Sequence, residues 1–106
     1  MTATEFINGL PAKVPADVLE GLSTLFHFDI SGDGGGQYTV KVADKQLEVT
    51  EGLEGEPKCV VKATSDNFVD VVTGKANPMM AILMGKIKIS NQGELIKYAK
   101  IFGLIK

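Results

Sequence analysis

Few residues in this chain are of a type that could do chemistry, and their spacing keeps them apart. The one histidine lies in Phe26-His-Phe-Asp-Ile30, where strand alternation turns the phenylalanines inward and His27 outward. No Ser or Cys is placed to pair with it as nucleophile and base. The one cysteine, Cys59, alternates with Val60 in Lys58-Cys-Val-Val-Lys-Ala-Thr64 and reads as a small core residue rather than a reactive thiol. No His/Cys set has the spacing of metal ligands, so no metal and no cofactor is expected. The carboxylates fall at turns, caps and outward strand positions, where solvation accounts for them. The run Ser31-Gly-Asp-Gly-Gly-Gly36 leads into a strand, Gln37-Tyr-Thr-Val-Lys-Val42. A phosphate cradle would lead into a helix N-terminus, so the run is read as a hairpin turn. The expectation is a protein that is not an enzyme.

The elements that carry these residues follow from periodicity. Thr2-x-x-Glu5 is a capping-box pattern opening a short helix with Phe6, Ile7 and Leu10, which Pro11 stops. Pro15 begins a second helix, with Val18, Leu19 and Leu22 on one face. Four strands follow as a meander, with a tight turn at Asp44-Lys45 and an acidic exposed loop over residues 51–57. Ser65 caps a helix carrying Phe68, Val71 and Val72 on one face. Asn91-x-x-Glu94 caps the last helix, whose apolar arc holds Leu95, Tyr98, Ala99, Ile101 and Phe102. The order predicts an α+β fold: a mostly antiparallel five-stranded sheet covered on one face by about five helices.

At 106 residues the chain is expected to be one domain, residues 1–106. No apolar run approaches the ~20 residues that cross a bilayer. The start lacks the pattern of a signal peptide, the end is not a peroxisomal tripeptide, and one cysteine suits a reducing compartment; a cytoplasmic protein is expected. Charge is lopsided. Residues 1–73 hold five lysines and twelve acids, a net −7, whereas residues 74–106 hold six lysines and one acid, a net +5. The chain has no arginine, which argues against nucleic acid as a partner. Lys75, Lys86, Lys88, Lys97 and Lys100 would suit transient contact with an anionic membrane surface.

Between these elements lies Gly74-Lys-Ala-Asn-Pro-Met-Met-Ala-Ile-Leu-Met-Gly-Lys-Ile-Lys-Ile89. Asn77 is a good N-cap, Pro78 suits the first helical position, and Gly85 suits a left-handed C-terminal residue. The helix between is apolar all round and must be covered on most sides. Its methionines either fill a core or line a surface that accepts partners of several shapes. Lys86-Ile-Lys-Ile89 then alternates as a half-buried strand.

Gly-Lys-x-Asn-Pro, a short apolar helix and Gly-Lys-Ile-Lys-Ile together resemble the sterol-carrier-protein type 2 family of lipid-transfer domains. Phe26-His-Phe-Asp-Ile-Ser-Gly32, Tyr38, Ser65-Asp-Asn-Phe68 and the apolar C-terminal helix extend the likeness along nearly the whole chain. Ser90-Asn-Gln-Gly93 departs from relatives that continue into a Gly-Asp turn. The resemblance implies a hydrophobic tunnel between sheet and helices, binding a sterol, fatty acid or acyl-CoA without converting it. The surplus of apolar helix faces over what one small sheet can cover marks either a ligand cavity or a partner interface, and the resemblance chooses the cavity. Phe68, Val71, Val72, Met79, Met80, Leu83, Met84, Tyr98, Ile101, Phe102 and Ile105 are the expected lining, with the tail from Gly103 to Lys106 as a cover. The alternative is an interaction module whose apolar C-terminal helix and tail dock a partner or a second copy.

Overall fold

The computed structural model describes residues 1–103. Helices α1 (Ala3–Asn8) and α2 (Leu10–Lys13) and a 3-10 turn (Ala16–Leu19) lead into β1 (Thr24–Ser31), β2 (Gly36–Ala43), β3 (Gln46–Glu51) and β4 (Cys59–Thr64). Then come α3 (Ser65–Val72), α4 (Pro78–Leu83), β5 (Ile87–Ile89) and α5 (Gln92–Phe102). The strands form one sheet in the order β3-β2-β1-β4-β5. Neighbours are antiparallel except β1 and β4, which run parallel. The expected α+β layering with a mostly antiparallel sheet is therefore observed.

The meander extends only over β1, β2 and β3. β4 pairs with the far edge of β1 and not with β3, because residues 52–58 return across the outer face of the sheet. Polar groups of that face hold them. The Thr39 hydroxyl donates to the Gly52 carbonyl at 2.8 Å and accepts from the Glu54 N–H at 2.9 Å. His27 Nε2 donates to the Glu54 carbonyl at 2.7 Å. His27 does point outward, as alternation requires, yet the loop buries it, and its role is to tie that loop down.

Other corrections concern punctuation. Gly9, not Pro11, closes α1, and Pro11 sits in the first turn of α2, where its missing N–H is harmless. The stretch after Pro15 is a single 3-10 turn that buries Leu19 and leaves Val18 exposed. Thr64, not Ser65, caps α3, its hydroxyl accepting from the Asn67 N–H at 3.2 Å. The glycine run is the hairpin turn expected. A Cβ at Gly35 would meet the Ile30 carbonyl oxygen at 2.4 Å, and the Gly34 carbonyl accepts from the Thr4 N–H at 2.9 Å. The Gly35 approach tightens the hairpin itself, and the Gly34 bond docks α1 on the turn.

The core lies between the inner face of the sheet and the helices. Phe26 and Phe28 are both buried on β1. Phe26 meets Phe102 edge-on at 5.0 Å and Tyr98 at 5.8 Å, and Phe28 meets Phe68 at 5.9 Å. Phe6 of α1 meets Phe68 at 5.6 Å. Edge-to-face pairs of this kind contribute beyond the area they bury. Replacing the fully buried Phe102 by Ala should lower stability by about 3–5 kcal/mol and loosen α5 from β1. Urea unfolding with backbone amide exchange across α5 is the check.

Candidate functional site

The stretch from Asn77 to Ile89 folds as its caps dictate. Asn77 Oδ1 accepts from the N–H groups of Met79 at 2.9 Å and Met80 at 3.2 Å. Gly85 takes φ +74°, its N–H reaches the Ile82 carbonyl, and the Lys86 N–H reaches the Ala81 carbonyl. That pair of bonds is a Schellman closure, and it turns the chain straight into β5.

A helix this short can turn only one narrow stripe to the sheet. Pro78, Ala81 and Ile82 share that stripe at i, i+3, i+4, and Ala81 is buried. Met79, Met80, Leu83 and Met84 look the other way and are 59, 52, 77 and 63 % exposed. The expectation that an all-apolar helix must be covered is not met here.

The remaining expected lining residues divide by depth. Phe68, Val71, Tyr98 and Phe102 are buried in the core, and Val72 and Ile101 are half-buried. Ile105 and the expected cover beyond Gly103 lie outside the described residues. Phe68 and Val71 do meet at an apolar cleft under α4. Its other walls are Val61 of β4, Pro78 and Ile82 of α4, Ile87 and Ile89 of β5, and Leu95 of α5. The cleft measures about 20 Å³, room for about one water and not for an alkyl chain. The cleft as it stands does not show the implied tunnel. The cleft residues missed in the sequence were available in principle, since Pro78 and Ile82 fall on the helical stripe and Ile87 and Ile89 on the inward phase of β5.

The lysines divide too. Lys86 and Lys88 line an open cleft of about 410 Å³ with Lys62, Asp29, Thr64 and Asn67. Lys100 lines a separate groove with Lys13 and Val18, and Lys97 lies 5.7 Å from the ring of Tyr98.

At the other end of the sheet, the Thr24 hydroxyl donates to Glu94, and the Tyr98 hydroxyl donates to the Ser23 carbonyl at 3.2 Å. The Cys59 thiol faces the Asn91 carbonyl at 3.5 Å. Burial first, and the Glu94 carboxylate second, raise the Tyr98 phenol above its usual range. Burial raises the Cys59 thiol, so it stays protonated and unreactive at neutral pH. No group of three or more His, Cys, Asp or Glu among the described residues is placed to hold a metal ion. None of the described helices is long and apolar enough to cross a membrane.

With this geometry in hand, comparison with known proteins is specific. The model of the SCP-2 sterol transfer family matches residues 7–106. Hydroxysteroid dehydrogenase-like protein 2 of Homo sapiens is 33% identical over 87 residues, 80% of this chain and 21% of that protein. The chain thus spans about a fifth of the length of the curated relatives it matches. Palmitated SCP2L2 from Aedes aegypti shares the fold at a TM-score of 0.73 and 21% identity, with 96% of this chain and 95% of that chain covered. The sec-alkylsulfatase Pisa1 from Pseudomonas sp. does so at 0.78 and 19% identity, over 100% of this chain and 16% of that one.

Two outcomes follow from the site as built. Asn77→Ala should lower stability by about 0.5–2 kcal/mol while long-chain ligand affinity, titrated well below the melting temperature, stays unchanged. Because the Cys59 and Tyr98 pKa values are raised on folding, the unfolded chain releases these protons first. Stability should therefore fall as pH rises past the ordinary thiol and then phenol values. Tyr98→Phe should remove the phenol's share of that fall, and at neutral pH lower stability by about 0.5–1.5 kcal/mol through the lost hydrogen bond. Urea midpoints across pH measure both.

Proposed function

Because the chain belongs to the SCP-2 sterol transfer family, we propose that residues 1–106 act in the cytoplasm as one lipid-binding domain. It carries a sterol, fatty acid or acyl-CoA and does not convert it. The observation that supports this best is the cleft under α4, whose walls are apolar throughout. Each CH₂ buried there would contribute about 0.8 kcal/mol before the entropic cost of binding. The Aedes aegypti relative is a palmitated protein, and palmitate is a fatty acyl group of the chemical class proposed here.

On this reading the cleft widens when α4 swings outward. Gly74 and Gly85 flank it, both at positive φ, and small backbone changes at such positions can serve as hinges. Behind the opened helix, Phe68, Val71 and Val72 form the near wall, and Tyr98, Ile101 and Phe102 the deeper one. Lys75, Lys86, Lys88, Lys97 and Lys100 would favour exchange at an anionic membrane surface.

A second reading draws on coverage. In the human relative and the sec-alkylsulfatase the matching part is a small fraction of a larger protein, as an accessory or interaction module would be. Native mass spectrometry separates the two, by a co-purified lipid mass or by a protein partner or second copy.

The carrier reading expects one fluorescent fatty acid or sterol analogue taken up per chain at micromolar concentration. Ile82→Trp, which fills the cleft, should weaken that uptake about tenfold or more, equivalent to at least about 1.4 kcal/mol. Absence of saturable uptake with every long-chain probe would leave the accessory module.

A further inference from the structure

The return loop covers the outer face of the sheet at His27 and Thr39. Toward the β5 edge of the same face lies the open cleft of about 410 Å³. Strand register sets its floor. Asp29 of β1 faces Lys62 of β4, which faces Lys88 of β5. Two positions along, Ser31 faces Thr64, and Lys86 precedes Lys88 by two residues. All six line the cleft. Neighbouring strands stand ~4.8 Å apart, so the row Asp29, Lys62, Lys88 runs about 10 Å from end to end.

This row is unfavourable by itself. Lysines directly opposite across two strands repel, and Lys86 adds a third positive charge. Among the described residues the lining holds three lysines and one carboxylate, a net +2. A multiply charged anion between the lysines offsets their repulsion. An ammonium is a compact point charge with three donors, which suits phosphate oxygens. The rest of the floor is of another kind. Ser31 and Thr64 offer hydroxyls, and Asn67 of α3 closes one side, its Nδ2 donating to the Lys86 carbonyl at 3.4 Å. The Asp29 carboxylate accepts from Gln37 Nε2 at 3.3 Å and sits at the end of the row away from Lys88. A carboxylate repels phosphate but accepts from the hydroxyls of a ribose.

We propose that this cleft binds a nucleoside diphosphate. Lys62, Lys86 and Lys88 hold the phosphates, and Asp29 accepts from the ribose hydroxyls. Cations at one end and a hydroxyl acceptor at the other follow the order of groups along such a ligand. An acidic peptide fits less well, because its carboxylates would meet Asp29. The same chemistry comes from a free nucleotide or from the nucleotide end of coenzyme A. The site lies on the face of the sheet opposite the apolar cleft, so it stands apart from the carrier reading.

The test is titration of the full chain with ADP, followed by backbone amide shifts in NMR. ADP should saturate at one per chain and move the amides of Asp29, Lys62, Thr64 and Lys88 more than those of Phe68 and Leu95. Added salt should weaken it. Lys62→Gln with Lys88→Gln should weaken ADP about tenfold or more. Asp29→Asn separates recognition from charge: it should weaken ADP about threefold or more, yet leave inorganic pyrophosphate bound as tightly or tighter. The two lysines are exposed and Asp29 is half-buried, so melting temperatures should match wild type; Lys86→Gln serves if the double variant is unstable. Coenzyme A that displaces ADP supports the site with the coenzyme as source; ADP binding that coenzyme A leaves untouched supports it with a free nucleotide. Absence of saturable ADP binding, shifts centred away from these strands, or full ADP affinity in the lysine variants overturns the proposal. So does an Asp29→Asn variant that treats ADP and pyrophosphate alike.

Discussion

Everything in this fold leans on β1. It is the central strand, paired on both edges, and its two faces do different work. The inner face sets Phe26 and Phe28 against rings from α3 and α5, and Phe68 passes the contact on to α1 through Phe6. The outer face gives His27 to the loop that returns the chain to the far edge. Helices anchored through a ring are held by close, directional packing. α4 has no such ring; it rests on Ala81 and Ile82. The apolar cleft is therefore walled by α3 and α5, which carry rings, and by α4, which carries none.

Much of the architecture was legible because its signals are local. Alternation in Phe26-His-Phe-Asp-Ile30 placed both faces of β1 correctly. Asn77 and Asn91 cap with their side chains, and Gly85 takes the positive φ that closes α4. The parallel pairing of β1 with β4 was not legible, since it depends on Thr39 and His27 accepting a distant loop, and nothing in their own neighbourhood announces that. Ser65 misled for a similar reason. Its hydroxyl accepts weakly from the Ala3 N–H at 3.4 Å, across the fold, leaving the capping to Thr64.

The candidate site was legible in composition and less so in direction. Counting apolar helix faces correctly found more than the sheet can cover. It did not show where the surplus would go. Aromatic side chains from α3 and α5 pack against β1, and the excess emerges on α4, where Ala81 is buried and Met79, Met80, Leu83 and Met84 are exposed. Charge behaves likewise. A net +5 in residues 74–106 does not gather into one face: Lys86 and Lys88 join Lys62 from the acidic part of the chain, and Lys100 joins Lys13 elsewhere.

The parallel β1–β4 ladder also sets the order in which the molecule can assemble. Phe26 faces Cys59, so this pairing requires a long loop to close, while the β1–β2 and β2–β3 hairpins join residues near in sequence. Local pairings form sooner than distant ones, because closure entropy must be met before contact rewards it. Closure entropy therefore favours the two hairpins over the β1–β4 pairing. β5 can pair only after β4 has arrived, and α4 gains its footing on the sheet only then. The footing of α4 and β5 thus depends on β4, whereas the ring contacts on β1 come from α1, α3 and α5.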